Sequence, residues 1–301
     1  MGVSMTNFRR GGMTALVAAL GLLFTSFSAS AYTNLTGVYM TNFDEDWPDR
    51  LPGPELGDYG GLPINDADRM RAETWDPSLL TLPEYQCRVH PTDYTVQFSE
   101  IRLWEIRDEV TQKLIAIRMH KEWQSTDRFI WMDGRPHPPA YAEHTAMGFS
   151  TGKWEGDKLV VTTTHLREGY IRRNGVARSP KATVTEYFIR HGKNLNWSVY
   201  IDDPAYLTEP FFRNRDYVRS DNFQLAPYPC ETVEEIDRPA GKVPHYLPGQ
   251  NPFLKEYAER RRIPFEAAMG GAQTMYPEYM HKMEKMELPP YFDPKAQQKH
   301  D

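Results

Sequence analysis

Two cysteines in 301 residues, Cys87 and Cys230, are too few for a disulfide-dense scaffold or a cysteine-rich zinc motif. Past Phe27 no apolar run is long enough to cross a bilayer, which excludes a helical membrane span in the body of the chain. Positive charge is also scarce: 35 Lys plus Arg stand against 41 Asp plus Glu. With no basic run or nucleic-acid motif, such a chain would repel a phosphate backbone, so nucleic acid is excluded as a partner. The nine histidines include no His-x-His pair and no pair four apart, so metal catalysis lacks its usual ligand spacing and neither a metal nor another cofactor is expected. The letters Gly148-Phe149-Ser150-Thr151-Gly152 match a nucleophile elbow, but no helix follows the Ser as that elbow requires. There is no internal repeat.

The N-terminus is more informative. Arg9 and Arg10, an apolar run from Met13 to Phe27 and Ala29-Ser30-Ala31 before Tyr32 form the three-part pattern of a cleavable secretory signal. It places the mature start at Tyr32 and the protein in the periplasm or outside the cell. Phe8 and Gly11 flank the arginines poorly for a twin-arginine route, and no Cys follows the run to carry a lipid anchor. Of the 35 basic residues the signal takes two, leaving 33 against 41 acids and a net charge of −8. In an oxidising compartment, two cysteines that bracket the probable core are expected to pair as a Cys87–Cys230 disulfide.

The organisation read from the sequence is a signal at 1–31, a wrapping segment at 32–92, a β core at 93–225 and a Pro-rich, partly helical extension at 226–301. Within the core, strands are expected at Tyr94–Phe98, Ile101–Arg107, Lys113–His120, Arg128–Met132, Lys158–Leu166, Ala182–His191 and Leu195–Asp202. Their links are hairpin-sized, as at His191-Gly192-Lys193-Asn194, so pairing should be antiparallel. The expected class is all-β, an antiparallel meander closing into a lipocalin-like barrel, with short helices in the two extensions. Helices are expected at Asn65–Trp75, Pro252–Arg262 and Pro277–Met286, the C-terminal pieces lying across the barrel's end or outside it. An acidic group at Asp44, Glu45 and Asp46 lacks the spacing of a calcium loop and reads as a solvated turn.

The stretch Trp131 to Leu166 holds the densest punctuation and three histidines. Asp133-Gly134-Arg135-Pro136-His137-Pro138-Pro139 cannot continue a strand, because each Pro lacks a donor and the residue before a Pro avoids the α region. It reads as an ordered loop. The phrases MDGRPHP, STGKWEGDKLVVTTT, VTEYF and IDDP resemble those of a large family of uncharacterised secreted bacterial proteins, over about Leu62 through Cys87 to about Asp216. The resemblance implies export and no particular activity. Phe149 departs from it, standing where many members carry His.

Strand alternation assigns faces. Val184, Glu186 and Phe188 share one face, as do Leu159, Val161, Thr163 and His165, so Glu186 and His165 are expected inside the barrel. A carboxylate among apolar side chains either pairs or becomes a tuned acid or base. Its structural partner would be an inward Arg118. In the loop, His144, His137 and Tyr141 sit where binding groups collect. Three readings remain. In the first, Glu186, His165 and His144 perform acid–base chemistry on a small apolar or aromatic molecule held by Trp131, Arg135, His137, Tyr141, Trp154 and Arg118. In the second the same pocket is a non-catalytic carrier or sensor. In the third the barrel is an envelope scaffold filled by its own side chains.

Overall fold

The computed structural model describes residues 1–2, 33–42, 54–96 and 100–290. The signal segment and the Asp44, Glu45, Asp46 group lie outside the described residues, apart from Met1 and Gly2. In chain order the strands are β1 (Gly37–Thr41), β2 (Ile101–Arg107), β3 (Leu114–Lys121), β4 (Thr126–Trp131), β5 (Phe149–Glu155), β6 (Lys158–Thr164), β7 (Gly169–Tyr170), β8 (Ala177–Arg178), β9 (Thr183–His191), β10 (Asn194–Asp202) and β11 (Phe211–Ser220). Nine of them close into a barrel in the order β1-β11-β10-β9-β6-β5-β4-β3-β2, and β1 pairs back onto β2. The expected all-β class and a meander closing into a barrel are present. The strands β7 and β8 form a separate small hairpin beside the barrel's chain path.

Pairing is antiparallel everywhere in the barrel except between β4 and β5, which run parallel with Ile130 opposite Ser150 and Trp131 opposite Thr151. An odd number of strands demands this: a ring of nine cannot alternate direction at every step. The sequence reading expected antiparallel pairing, since most links leave no room for a helical crossover. The crossover is instead the irregular Pro/Gly loop 132–148. Its return is pinned by Thr145 N donating to His165 O at 2.9 Å and Arg167 N donating to Thr145 O at 2.8 Å. Gly148 closes the loop at φ +64°, with Thr164 O only 2.5 Å from where a Cβ would stand, so no other residue fits there.

Besides the short β7 and β8, two strands of the barrel itself escaped the sequence reading. In β11 the inward positions include Arg213 and Arg215, both buried, which inverts the usual apolar alternation. In β5 the inward Gly152 looks like turn material, yet a Cβ there would stand 2.6 Å from Met132 Sδ and 2.9 Å from Ile130 Cγ2, so the strand needs a bare backbone. The expected strand at Tyr94–Phe98 is a correction: Thr92–Thr95 is a short helix, fully buried, and residues 97–99 lie outside the described set. That helix supplies acceptors to buried cations of the barrel. The hairpin β9–β10 is as read, with His191 opposite Asn194 across Gly192-Lys193 and Gly192 at φ +61°.

Among the described residues the helices are α1 (Asp66–Glu73), α2 (Thr92–Thr95), α3 (Glu256–Arg261), α4 (Phe265–Ala268) and α5 (Pro277–Met283). Asn65 caps α1, its side chain accepting from the Ala67 and Asp68 amides, as the polar residue there led one to expect. The C-terminal helices sit on the 54–62 segment: Tyr59 N donates to Ala268 O at 2.9 Å and Gly61 N to Gly271 O at 3.1 Å. Cys87 and Cys230 are joined as expected, with Cα atoms 5.6 Å apart, and tie the extension back to the segment before α2. No helix among the described residues is long and apolar enough to cross a membrane.

Candidate functional site

The barrel interior is filled. Trp197 stacks on Phe188 at 5.1 Å between ring centroids and leans on Tyr217 at 6.1 Å, with Ile101, Leu103, Ile117 and Val161 fully buried around them. Glu186 lies among these side chains with no exposure, opposite Val199 on β10 and Val161 on β6. It accepts from both terminal nitrogens of Arg128, one at 2.9 Å, from Trp197 Nε1 at 3.0 Å and from Thr163 Oγ1 at 3.2 Å. Arg128 directs its other donors to Ser150 Oγ at 3.0 Å, Thr92 Oγ1 at 3.1 Å and Thr163 Oγ1 at 2.8 Å. A guanidinium only donates, so the hydroxyl protons must run Ser150 to Thr163 to Glu186. Every member of the network is satisfied. Nearby, Lys121 Nζ donates to Thr92 O at 3.0 Å, to Thr92 Oγ1 at 2.7 Å and to Thr95 Oγ1, which seats α2 in the barrel. Burial, reinforced by the Arg128 charge, pushes the Lys121 ammonium well below the usual amine range.

Two expectations fail here. Arg118 is not inward: it lies on the outer wall, bound to Asp127 at 2.7 Å and stacked over Trp104 at 4.9 Å. Both faces of β3 carry apolar residues, Leu114 and Ala116 on one and Ile115, Ile117 and Met119 on the other, so alternation alone could not choose between them. Nor does His165 share the interior with Glu186. The strand β6 ends at Thr164, and His165 adopts φ +57°, which breaks the alternation that would have aimed it inward.

His165 instead joins His137 and His144 on the outer wall, where the 132–148 loop folds over the ends of β5 and β6. His165 Nε2 meets Pro139 O at 3.0 Å, and since a carbonyl only accepts, that nitrogen carries the proton. In the neutral form of the ring, Nδ1 accepts from Thr164 Oγ1 at 2.7 Å. Thr164 in turn accepts from His137 Nδ1 at 2.8 Å, and His137 Nε2 accepts from Thr151 Oγ1 at 2.9 Å. The tautomers of two histidines and the hydroxyl directions of two threonines follow from one carbonyl. His137 is held below the usual imidazole range by burial first and by His165 second. His144 lies 5.1 Å from His165 between ring centroids and donates Nδ1–H to Leu166 O at 3.0 Å. In the neutral form of the ring that bond leaves the lone pair on Nε2, which makes no hydrogen bond among the described residues. Phe149, where the resembled family carries His, sits edge-on to His137 at 5.3 Å and so belongs to this cluster.

The remaining candidates scatter. Trp131 is on the outer wall with the Arg135 guanidinium 3.6 Å over its ring, and Arg135 is bound to Asp133 at 2.5 Å. Trp154 is partly buried against the barrel core, away from the histidines. Tyr141 is 90% exposed on the loop. The sequence reading placed Thr163 inside but gave it no role, and it missed Arg128 and Ser150 inside and Thr151 and Thr164 outside; the alternation Thr126, Arg128, Ile130 was the signal for Arg128. Among the described residues no group of three or more His, Cys, Asp or Glu side chains could hold a metal ion. A groove of about 1060 Å³ lies between α1 and the C-terminal helices, lined in part by Arg69, Leu254, Phe265, Met269 and Tyr279.

The architecture is thus a side-chain-filled nine-stranded barrel that carries a histidine cluster on its outer wall. No family model matches the chain, and no curated protein matches it. Among solved structures, the crystal structure of a mutant of the fluorescent protein UnaG is similar over 46% of this chain and 88% of its own, at 11% identity and a TM-score of 0.24. A likeness that distant bears on neither site.

Proposed function

We propose that this is an exported protein of the resembled secreted bacterial family, and that it acts on a small apolar or aromatic molecule by acid–base chemistry on the outer wall of the barrel. One observation carries the reading: among three clustered histidines, two are locked with both nitrogens bonded while His144 presents a lone pair at Nε2. His144 is the proton acceptor in this reading. The His165–Thr164–His137–Thr151 chain is its rigid support, held at a left-handed residue of the kind that gathers at functional sites. Tyr141 on the same loop is free to meet a ligand. Glu186 has no part in the chemistry, since all its lone pairs are engaged inside the core.

The test has two arms. Nitrogen NMR of the imidazoles should show His144 as the neutral Nδ1–H tautomer, and finding the proton on Nε2 removes the base. On any compound the protein converts, His144→Gln should cost roughly two to four orders of magnitude in turnover at an unchanged melting temperature. A scaffold role is the second reading, favoured by the filled interior. It is the better one if no aromatic or apolar compound in a broad panel is converted or perturbs the histidine resonances.

A further inference from the structure

A second feature of the structure shares no residue with the histidine cluster. Between α1, the β7 strand and the segment following Cys87 there is a cavity of about 60 Å³ whose lining includes Arg71, Trp75, Arg88, His90, Glu168 and Tyr170. Its walls are in large part aromatic. Trp75 meets Tyr170 edge-on at 5.7 Å, and His90 meets Tyr170 at 5.8 Å. Aromatic edges carry partial positive charge. Trp75 Nε1 is buried and finds no acceptor among the described residues, which is a costly state for an N–H in a protein interior.

The field is positive as well. Arg88 lies over the Tyr85 ring at 5.2 Å and makes no ion pair among the described residues, whereas Glu168 is already engaged by Arg71. Burial first, then the Arg173 and Arg88 charges, push the His90 imidazole down to about 4, so the ring is neutral at pH 7 and the surplus charge belongs to the arginines. Cys87 sits at φ +53° and is tied to Cys230, so the backbone that presents Arg88 is held from both sides.

We infer that this cavity binds the carboxylate head of a small organic acid. The planar guanidinium fork of Arg88 matches the two oxygens of a carboxylate, and the Trp75 N–H supplies a third donor from the cavity wall. With two donors from the fork and one from Trp75, a phosphate with its greater number of acceptors is less fully met.

The experiment is a titration of the full chain with acetate, benzoate and inorganic phosphate at constant ionic strength, read by tryptophan fluorescence and calorimetry. Saturable binding of both carboxylates is expected, with phosphate weaker. Arg88→Gln, at an exposed position, should weaken benzoate binding by about ten-fold or more, and Trp75→Phe, which keeps a ring and deletes the donor, by several-fold. His144→Gln should bind as the parent does, so failure here is distinct from failure of the acid–base reading. No saturable response to either carboxylate, equal affinity in parent and both variants, or competition by chloride as strong as by acetate would each overturn the inference.

Discussion

Replacing Glu186 by Gln tests whether the barrel core is organised around an ion pair. The amide keeps the volume of the carboxyl but not its charge, and it turns one acceptor into a donor. Whichever way the amide is set, its NH2 faces a donor: one oxygen now takes Arg128 Nη1 and Trp197 Nε1, the other Arg128 Nη2 and Thr163 Oγ1. Arg128 is then a buried cation with no counter-charge at hydrogen-bonding distance. Stranding one member of a buried pair costs roughly 3 to 5 kcal/mol. For a chain of this size each kcal/mol moves the melting temperature by roughly 2 to 4 °C, so calorimetry at pH 7 should show a fall of roughly 6 to 20 °C. Removing both charges at once, as Glu186→Leu with Arg128→Met, should restore most of the loss, because the desolvation cost of both ions goes with them. A Gln variant that melts with the parent would refute the structural assignment and return Glu186 to the list of candidate acids.

The disulfide closes a separation of 143 residues, worth about 5 kcal/mol in the chain-entropy model, so the denaturant midpoint should fall sharply under reductant, and a Cys230→Ser variant should no longer respond to it. Asp68 is buried, accepts from Ala177 N at 2.9 Å, and is pushed up to about 7 by burial; its contribution is present at low pH and lost as pH rises through 7, so Asp68→Asn should melt higher than the parent at pH 8 and not at pH 4. His90, pushed down to about 4, has the opposite sign: its contribution is present above 6.5 and lost as pH falls through 4, so the parent should lose ground to His90→Phe across that window in paired melts. Thr164→Val removes the hydroxyl between His137 and His165 and should cost roughly 1 to 3 kcal/mol while broadening the ring resonances of both histidines.

Local chemistry was readable without any tertiary information. Alternation placed Glu186 on a buried face, Gly192-Lys193 gave the hairpin, Asn65 gave the cap, and two cysteines gave the cross-link. These signals are local because each depends only on a residue's own backbone preference or on neighbours two to four places away. The Pro-rich loop was also legible as a loop, though not as the parallel crossover that an odd strand count requires.

Partnership was decided only by the closed barrel. Arg118 and Arg128 are both arginines on adjacent strands; the alternation of β4 puts Arg128 on the face of Ile130, but only the closed sheet, by bringing β4 and β9 across the same interior, sets it against Glu186. His165 has the parity of an inward residue, and one left-handed φ after Thr164 moves it to the outside beside His144. The helix Thr92–Thr95 has a strand-like sequence but folds as a plug, because Lys121 and Arg128 at the barrel's end need its oxygens as acceptors. Buried charges demand partners wherever the fold can supply them, and the identity of those partners is a property of the fold, not of the sequence around each charge.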